Sequence, residues 1–327
     1  MEGGKTVRDK LLALLNGSDG SFISGQEISD KLGISRTAVW KHIEELRKKG
    51  YKINAVTKKG YKIEYTPNSI TADEINAHLE TKAFGRVIHS FDQVASTQIP
   101  AHEAAREAAP EGTIVVAEEQ LKGKGRLGRP FHSSKGTGLW CSLILRPSFP
   151  PQQAPQLTLL TAVAIAEGVR KVTGLPADIK WPNDLLISGK KIAGILIEMQ
   201  SDPDEIHAVI VGFGLNINHK KEDFPEEIQD RATSLALEGN QPYNRAVLLA
   251  EILKEYEYWY FKMLDEGFDP VREKWESLAV TIGKQITAVT SKKTLQGLAK
   301  GITKDGVLIL ETADGKIDYI YSADIHE

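Results

Sequence analysis

The sequence predicts an α+β protein of several domains, and three observations carry that prediction. Residues 1–67 hold 13 Lys and Arg against 8 Asp and Glu, while the remaining chain holds 28 against 36, so a small cationic unit precedes a larger acidic one. Alternating apolar runs and long helical periodicities share the middle of the chain, which marks a mixed α/β unit. Beyond Trp275 only short strands separated by tight turns remain, the pattern of a small β-barrel. A chain of 327 residues has the length for two or three such units, each with its own core.

The cationic unit reads element by element. Val7, Leu11, Leu14 and Leu15 form one helical face, stopped by Asn16-Gly17. Ser24-Gly25-Gln26-Glu27 is a capping box that opens a short helix through Ile28 and Leu32. Gly33 turns the chain, and Ser35 caps a second helix with Val39, Ile43 and Leu46 inward and Arg36, Thr37, Trp40 and Lys41 outward. Tyr51–Asn54 and Tyr61–Glu64 alternate around Thr57-Lys58-Lys59-Gly60, a hairpin with a basic tip. Helix, glycine turn, capped helix and hairpin make a winged helix-turn-helix. Ser35, Arg36, Thr37, Trp40 and Lys41 are then expected at a major groove, and Lys58 and Lys59 on phosphate. A winged helix used for protein contacts alone is the competing reading, and the charge excess disfavours it.

Pro67, Asn68 and Ser69 interrupt the pattern, so a linker is expected at Thr66–Ser69 and a short capped helix over Ser69–His78. Pro155–Val172 and Tyr243–Leu264 are long helices. The aromatics Tyr256, Tyr258, Trp259, Tyr260 and Phe261 of the second are expected in core and interdomain packing. In the C-terminal part, Ile286–Val289, Leu295–Lys300, Val307–Leu310 and Ile317–Tyr321 read as strands. The domains expected are 1–66, 67–274 and 275–327.

Two islands in the middle unit carry chemistry. In Gln120–Arg129 three glycines alternate with the cations Lys122, Lys124, Arg126 and Arg129. Glycine lets backbone amides approach a phosphate or carboxylate closely, and the cations converge on it. A solvated basic turn is an equally good reading of that segment alone. Downstream, Asp178-Ile179-Lys180 reads as a strand, Pro182-Asn183-Asp184 as a turn and Leu185–Ile187 as the returning strand, with Ser188-Gly189-Lys190 turning into Ile192–Glu198. Lys180 at a strand end opposite a basic glycine loop makes a two-sided anion clamp.

These islands resemble the biotin–protein ligases. The family's Gly-Arg-Gly-Arg-x-x-Gly-Arg loop is matched by Gly123–Arg129, its Lys-Trp-Pro-Asn-Asp motif is complete at Lys180–Asp184, Ser96-Thr97-Gln98 matches its Ser-Thr-(Asn/Gln) element, and Gly212–Asn218 matches its Gly-x-Gly-x-Asn strand. Lys124 stands where the family usually has Arg, keeping the charge without the bidentate fork, and Phe131 where it usually has Trp. With the winged helix ahead of these motifs, the whole chain resembles the bifunctional members that also repress biotin genes. The resemblance implies a central α/β domain like that of class II aminoacyl-tRNA synthetases and an SH3-like C-terminal barrel.

The activity so implied joins biotin's carboxylate to the α-phosphate of ATP, giving biotinyl-5′-AMP and pyrophosphate. The free amine of a carrier lysine then attacks the mixed anhydride. Lys180 and Arg126 are the implied catalytic cations, with Mg²⁺ beside them. Ser96, Thr97, Gln98 and Gln120 are implied for the biotin head, Lys124, Gly125, Arg126 and Lys180 for its carboxylate, and Gly123, Arg126, Arg129, Lys180, Asn183 and Asn216 for ATP. Ser96-Thr97 also reads as a helix cap before Pro100, and Asn216 as a strand-end residue. The implied partners are an apo biotin carboxyl carrier protein (of acetyl-CoA carboxylase or of pyruvate carboxylase), operator DNA, and a second copy of the chain in the liganded state, with biotinyl-5′-AMP as corepressor. The Gly123–Arg129 loop, with nothing apolar to anchor it, is expected to be mobile when empty.

A biotin sensor without turnover and a lipoate or octanoyl ligase-transferase remain open, although the complete Lys-Trp-Pro-Asn-Asp segment and the winged helix count against the latter. His42, His89, His132 and His207 lack metal-ligand spacing. The single cysteine, Cys141, lies in an apolar run and rules out a disulfide framework within the chain. Leu11–Leu15 is too short for a signal core or a membrane span, so a cytoplasmic protein with no membrane partner is expected.

Overall fold

The computed structural model describes residues 6–18, 20–65 and 68–326. Helix α1 (Val7–Asn16) opens with a capping box that the sequence reading missed: the Asp9 amide donates to the Thr6 hydroxyl, and the Asp9 carboxylate accepts the Thr6 amide. Its buried face is Leu11, Leu12 and Leu15, with Leu14 half-buried against the same cluster, so Leu12 joins the expected set. Helix α2 (Gly25–Leu32) has half of its expected box. Ser24 accepts the Glu27 amide at 3.0 Å, but the Glu27 carboxylate turns to Lys31 at 2.8 Å. Gly33 makes the left-handed turn at φ 65°, and Ser35 caps α3 (Arg36–Lys48), which buries Val39, Ile43 and Leu46 as read. Strands β1 (Lys52–Val56) and β2 (Gly60–Tyr65) form the wing, with Ile23 bridged to Tyr61 as a third rung. That rung needs Gly60, whose φ is 108° and whose Cβ would come within 2.0 Å of the Ile23 carbonyl oxygen.

Helix α4 (Ala72–His78) is capped by Thr71 and serves two cores. Ala77 joins the apolar cluster of the winged helix, while Ile75 and Leu79 join that of the central unit. Asp73 accepts from Arg8 at 2.8 Å and from Lys49. Of the expected linker, Thr66 and Pro67 lie outside the described residues. Asn68 belongs to the central unit rather than to a linker, because its side chain accepts the Arg245 amide and donates to the Tyr243 carbonyl, both at 3.0 Å.

The central unit runs β3 (Ile88–Val94), α5 (Gln98–Arg106), β4 (Ile114–Gln120), β5 (Gly138–Leu145), α6 (Gln156–Thr173), β6 (Asp178–Lys180), β7 (Asp184–Ile187), β8 (Lys190–Ser201), β9 (Ile206–Asn216), α7 (Leu235–Gly239), α8 (Arg245–Glu266) and α9 (Asp269–Leu278). Its seven-stranded sheet has the order β3-β4-β5-β9-β8-β7-β6, and only β3 and β4 run parallel. Helices α6 and α8 contribute Leu160, Val163, Ile252 and Tyr256 to the main core, with Cys141 buried among them. Ala101 and Ala105 of α5 form a second cluster with Val115, Ile144 and Ile210. The aromatic run divides: Tyr256 and Tyr260 are buried, whereas Tyr258 and Phe261 are exposed, because a helix face wide enough for five aromatics does not fit one core. The boundary expected after residue 274 falls inside α9, which buries Val271, Trp275 and Leu278.

The C-terminal unit is an antiparallel sheet of β10 (Gln285–Val289), β11 (Thr294–Ile302), β12 (Leu308–Thr312), β13 (Ile317–Ile320) and β14 (Asp324–His326), in the order β13-β12-β11-β10-β14. Strand β14 was not read from sequence, since three residues give no periodicity. Among the described residues no helix is long and apolar enough to cross a membrane.

Candidate functional site

A cleft of about 860 Å³ opens over β8 and β9 and gathers residues from both islands. Alternate residues of β9 face it, and they set its long axis. Gly212 lies under Gln98, Gly214 under the Phe131 ring, and Asn216 at the far end, donating its amide to the Thr233 carbonyl at 3.1 Å.

The first end is a buried polar net. The Thr97 amide donates to Gln120 Oε1 at 2.8 Å, the Thr97 hydroxyl meets Ser142 Oγ at 2.8 Å, and Gln120 Nε2 donates to Ser133 at 3.0 Å. Thr97 sits at the N-cap position of α5 but makes no capping bond, so its hydroxyl serves the net and not the helix. Ser96 accepts the Gln98 amide at a long 3.4 Å. Gln98 Nε2 donates to Leu196, and its Oε1 is buried without a partner among the described residues. A buried acceptor left open in this way suits a donor supplied by a ligand.

The middle is cationic. Lys124, Gly125, Arg126, Arg129 and Lys180 all line the cleft, and Gly123 lies buried beneath the loop, against the Phe131 carbonyl. Asn183 accepts from Arg126 Nη1 at 2.9 Å and donates to the Ile195 carbonyl at 3.0 Å, so the turn after Lys180 is pinned to β8 and holds the arginine. Burial pulls the Arg126 guanidinium down from its ordinary value. Arg126 also donates to Ser322 at 2.5 Å, and Arg129 forms a two-pronged ion pair with Asp324. The hydrogen bond from Arg129 holds the Asp324 carboxyl below the usual carboxylate range.

The loop has the polar contacts that its sequence allows. It has no apolar anchor, as Leu127 is 80% exposed, yet it closes on itself through Gly125 to Arg129 at 2.8 Å and reaches the C-terminal sheet through two arginines. Asp324 and Ser322 escaped the sequence reading because nothing local links them to a loop some two hundred residues earlier. The far wall, with Phe224, Ile228 and Ala232, escaped it because no motif marks that segment.

The acidic groups of the cleft, Asp184 and Asp324, are each committed to a cation, Lys191 at 2.6 Å and Arg129. Among the described residues no group of three or more His, Cys, Asp or Glu side chains gathers to hold a metal ion. On the winged helix, Ser35, Arg36, Thr37, Trp40 and Lys41 are exposed along the start of α3, with the Ser35 hydroxyl engaged in the cap, and Lys58 and Lys59 are exposed on the wing.

Comparison with known proteins agrees with this architecture. Residues 7–62 match an HTH domain, 90–216 the Biotin/lipoate A/B protein ligase family, and 281–326 the Biotin protein ligase C terminal domain. Three such matches in this order define a ligase that carries its own DNA-binding module. The bifunctional ligase/repressor BirA of Bacillus subtilis (strain 168) is 49% identical over 320 residues, covering 98% of each chain, and that of Escherichia coli (strain K12) is 30% identical over 94% of this chain and 92% of its own. A solved Aquifex aeolicus biotin protein ligase in complex with biotin and ATP superposes with a TM-score of 0.64 at 30% identity, covering 73% of this chain and 97% of that one. The chain belongs to the family of bifunctional biotin ligase/repressors.

Proposed function

We propose that this ligase activates biotin in the cleft over β8 and β9, with the polar net of Ser96, Thr97, Gln98 and Gln120 taking the ureido head. Lys124, Gly125, Arg126 and Lys180 take the carboxylate. Gly123, Arg126, Arg129, Lys180, Asn183 and Asn216 take the nucleotide, which enters as its Mg²⁺ complex. A carboxylate oxygen attacks the α-phosphorus, the bond to the bridging oxygen breaks, and pyrophosphate leaves. Lys180 and Arg126 offset the charge of the two anions as they approach, an effect worth about 3–4 kcal/mol per donor in a site closed to water. The lysine amine of a biotin carboxyl carrier protein then attacks the carbonyl and AMP departs.

The observation that carries this reading is the convergence of the Gly-rich loop, Lys180 and the Thr97–Gln120 net on one cleft. The winged helix, 1–66, reads operator DNA through the exposed start of α3, and the central unit extends to Leu278. The liganded chain pairs with a second copy to present two such helices. The test is the mass of an acceptor domain after incubation with the chain, ATP and biotin: a gain of one biotinyl group supports the reading, and an unmodified acceptor refutes it.

A further inference from the structure

Four aromatic rings form a continuous row behind the cleft. Phe131 meets Trp140 edge-on at 5.9 Å between centroids and 71°, and Trp140 meets His219 at 5.8 Å and 71°. His219 lies flat on Phe224 at 4.9 Å and 14°. All three separations lie in the range of attractive ring pairs. The outer members, Phe131 and Phe224, line the cleft, while Trp140 and His219 are 0% and 1% exposed. Glycines clear the space: a Cβ on Gly214 would come within 2.4 Å of the Phe131 ring, and one on Gly138 within 2.5 Å of Trp140.

His219 is held at one ring nitrogen and at its backbone carbonyl. Its Nε2 meets Thr137 Oγ1 at 2.9 Å, and its carbonyl accepts the Ser234 hydroxyl at 2.7 Å. The Thr137 carbonyl in turn accepts the Asn218 amide at 2.7 Å. Burial pushes the imidazole down to about 4, so near neutral pH the ring stacks as an uncharged plate. Phe224 stands between two short 3₁₀ turns, Lys221–Asp223 and Glu226–Ile228, in a segment with little regular structure to hold it. The Phe224 ring, 4% exposed, lies flat on the His219 face.

We propose that His219 is a positioning residue for the ligase reaction. It holds Phe224 as a flat wall at the nucleotide end of the cleft and, through Trp140, ties that wall to Phe131 over the middle. This rests on the reading of the cleft as the biotin–ATP site. His219 touches no substrate itself.

The test uses the full chain and biotin-dependent pyrophosphate exchange, with biotin affinity measured separately without nucleotide. Loss of one stacked pair predicts that His219→Ala raises the KM for ATP about 5- to 10-fold, leaving kcat and the biotin Kd within about twofold. His219→Phe keeps the plate and should restore the KM to within about threefold of wild type. Phe224→Ala should match His219→Ala, and the double variant should be no worse than either, as expected of two residues acting through one contact. If His219→Ala does not fold, the pair Phe224→Ala and His219→Phe still decides. An unchanged ATP KM in Phe224→Ala, an equal loss of biotin affinity, or no recovery in His219→Phe overturns the role of His219 alone. A wild-type chain without biotin-dependent exchange overturns the reading of the cleft, and this inference with it.

Discussion

Arg129 of the Gly-rich loop donates both terminal nitrogens to the Asp324 carboxylate at the start of β14, joining that loop to the C-terminal sheet. Arg129 is 59% and Asp324 38% exposed, so the pair adds at most about 1 kcal/mol to stability. Its effect is expected on the loop. Asp324→Ala should leave the melting temperature nearly unchanged while trypsin cuts after Lys124 and Arg126 several-fold faster, and biotin with ATP should slow that cutting. An unaltered cleavage rate would show that the C-terminal sheet does not hold the loop.

Lys180→Ala is expected to lower pyrophosphate exchange by about 100-fold or more, through loss of a cation beside the reacting anions. Arg126→Gly removes both the bond to Asn183 and the bond to Ser322, and should release activated biotin into solution. Exchange rates, and biotinylation of bystander protein, read the two effects. Wild-type exchange in Lys180→Ala would make Lys180 a structural residue.

On DNA the two exposed sets should separate. Replacing Lys58 and Lys59 by Ala should weaken binding to every sequence and lower the salt slope by about 1.8, as for two lost phosphate contacts. Arg36→Ala and Thr37→Ala should change the preference among operators instead. Titrations at several salt concentrations distinguish them; matching effects from both sets would reject the docking.

Biotin with ATP should raise dimerisation and operator affinity together, by a coupling of about 1–3 kcal/mol. Sedimentation and operator titration with and without ligand measure it. If neither moves, the chain is a ligase whose DNA-binding module does not respond to biotin.

Glu74 of α4 gives a pH signature. Burial pushes its carboxyl up to about 7, with Lys49 opposing the shift. Because the folded value lies above the unfolded one, its contribution to stability is complete below about 4.5 and is lost as pH rises through about 7, up to about 3 kcal/mol in all. Glu74→Gln should therefore stabilise the chain at pH 8 and have little effect at pH 4.5, as read by denaturant melts. A pH-independent difference would remove the carboxyl from the account.

The parts of the site that sequence reveals are those where chemistry demands a residue type at short spacing. Gly123–Arg129 and Lys180–Asp184 are of this kind, as are the cap at Ser35 and the basic tip at Lys58-Lys59. Contacts made by the fold alone do not show. The Asp324–Arg129 pair joins segments remote in sequence, and the row from Phe131 to Phe224 joins four stretches with no shared pattern. Leu12 is fully buried and Leu14 only partly so in the first core, because helical spacing leaves both near the boundary of the buried face and only packing ranks them.

Helix α4 gives its Ala77 to one core and its Ile75 to the other, and its Asp73 grips two helices of the winged unit. A cut at the proline-containing punctuation near residue 67 would therefore not release two finished bodies. The excised reader would carry a bare apolar spot where Ala77 had been and two basic side chains, Arg8 and Lys49, without Asp73. In the intact chain, the same helix makes the winged unit turn with the ligase core as with a handle, so in the proposed pair the angle at which two copies meet would fix the angle at which their two readers meet DNA.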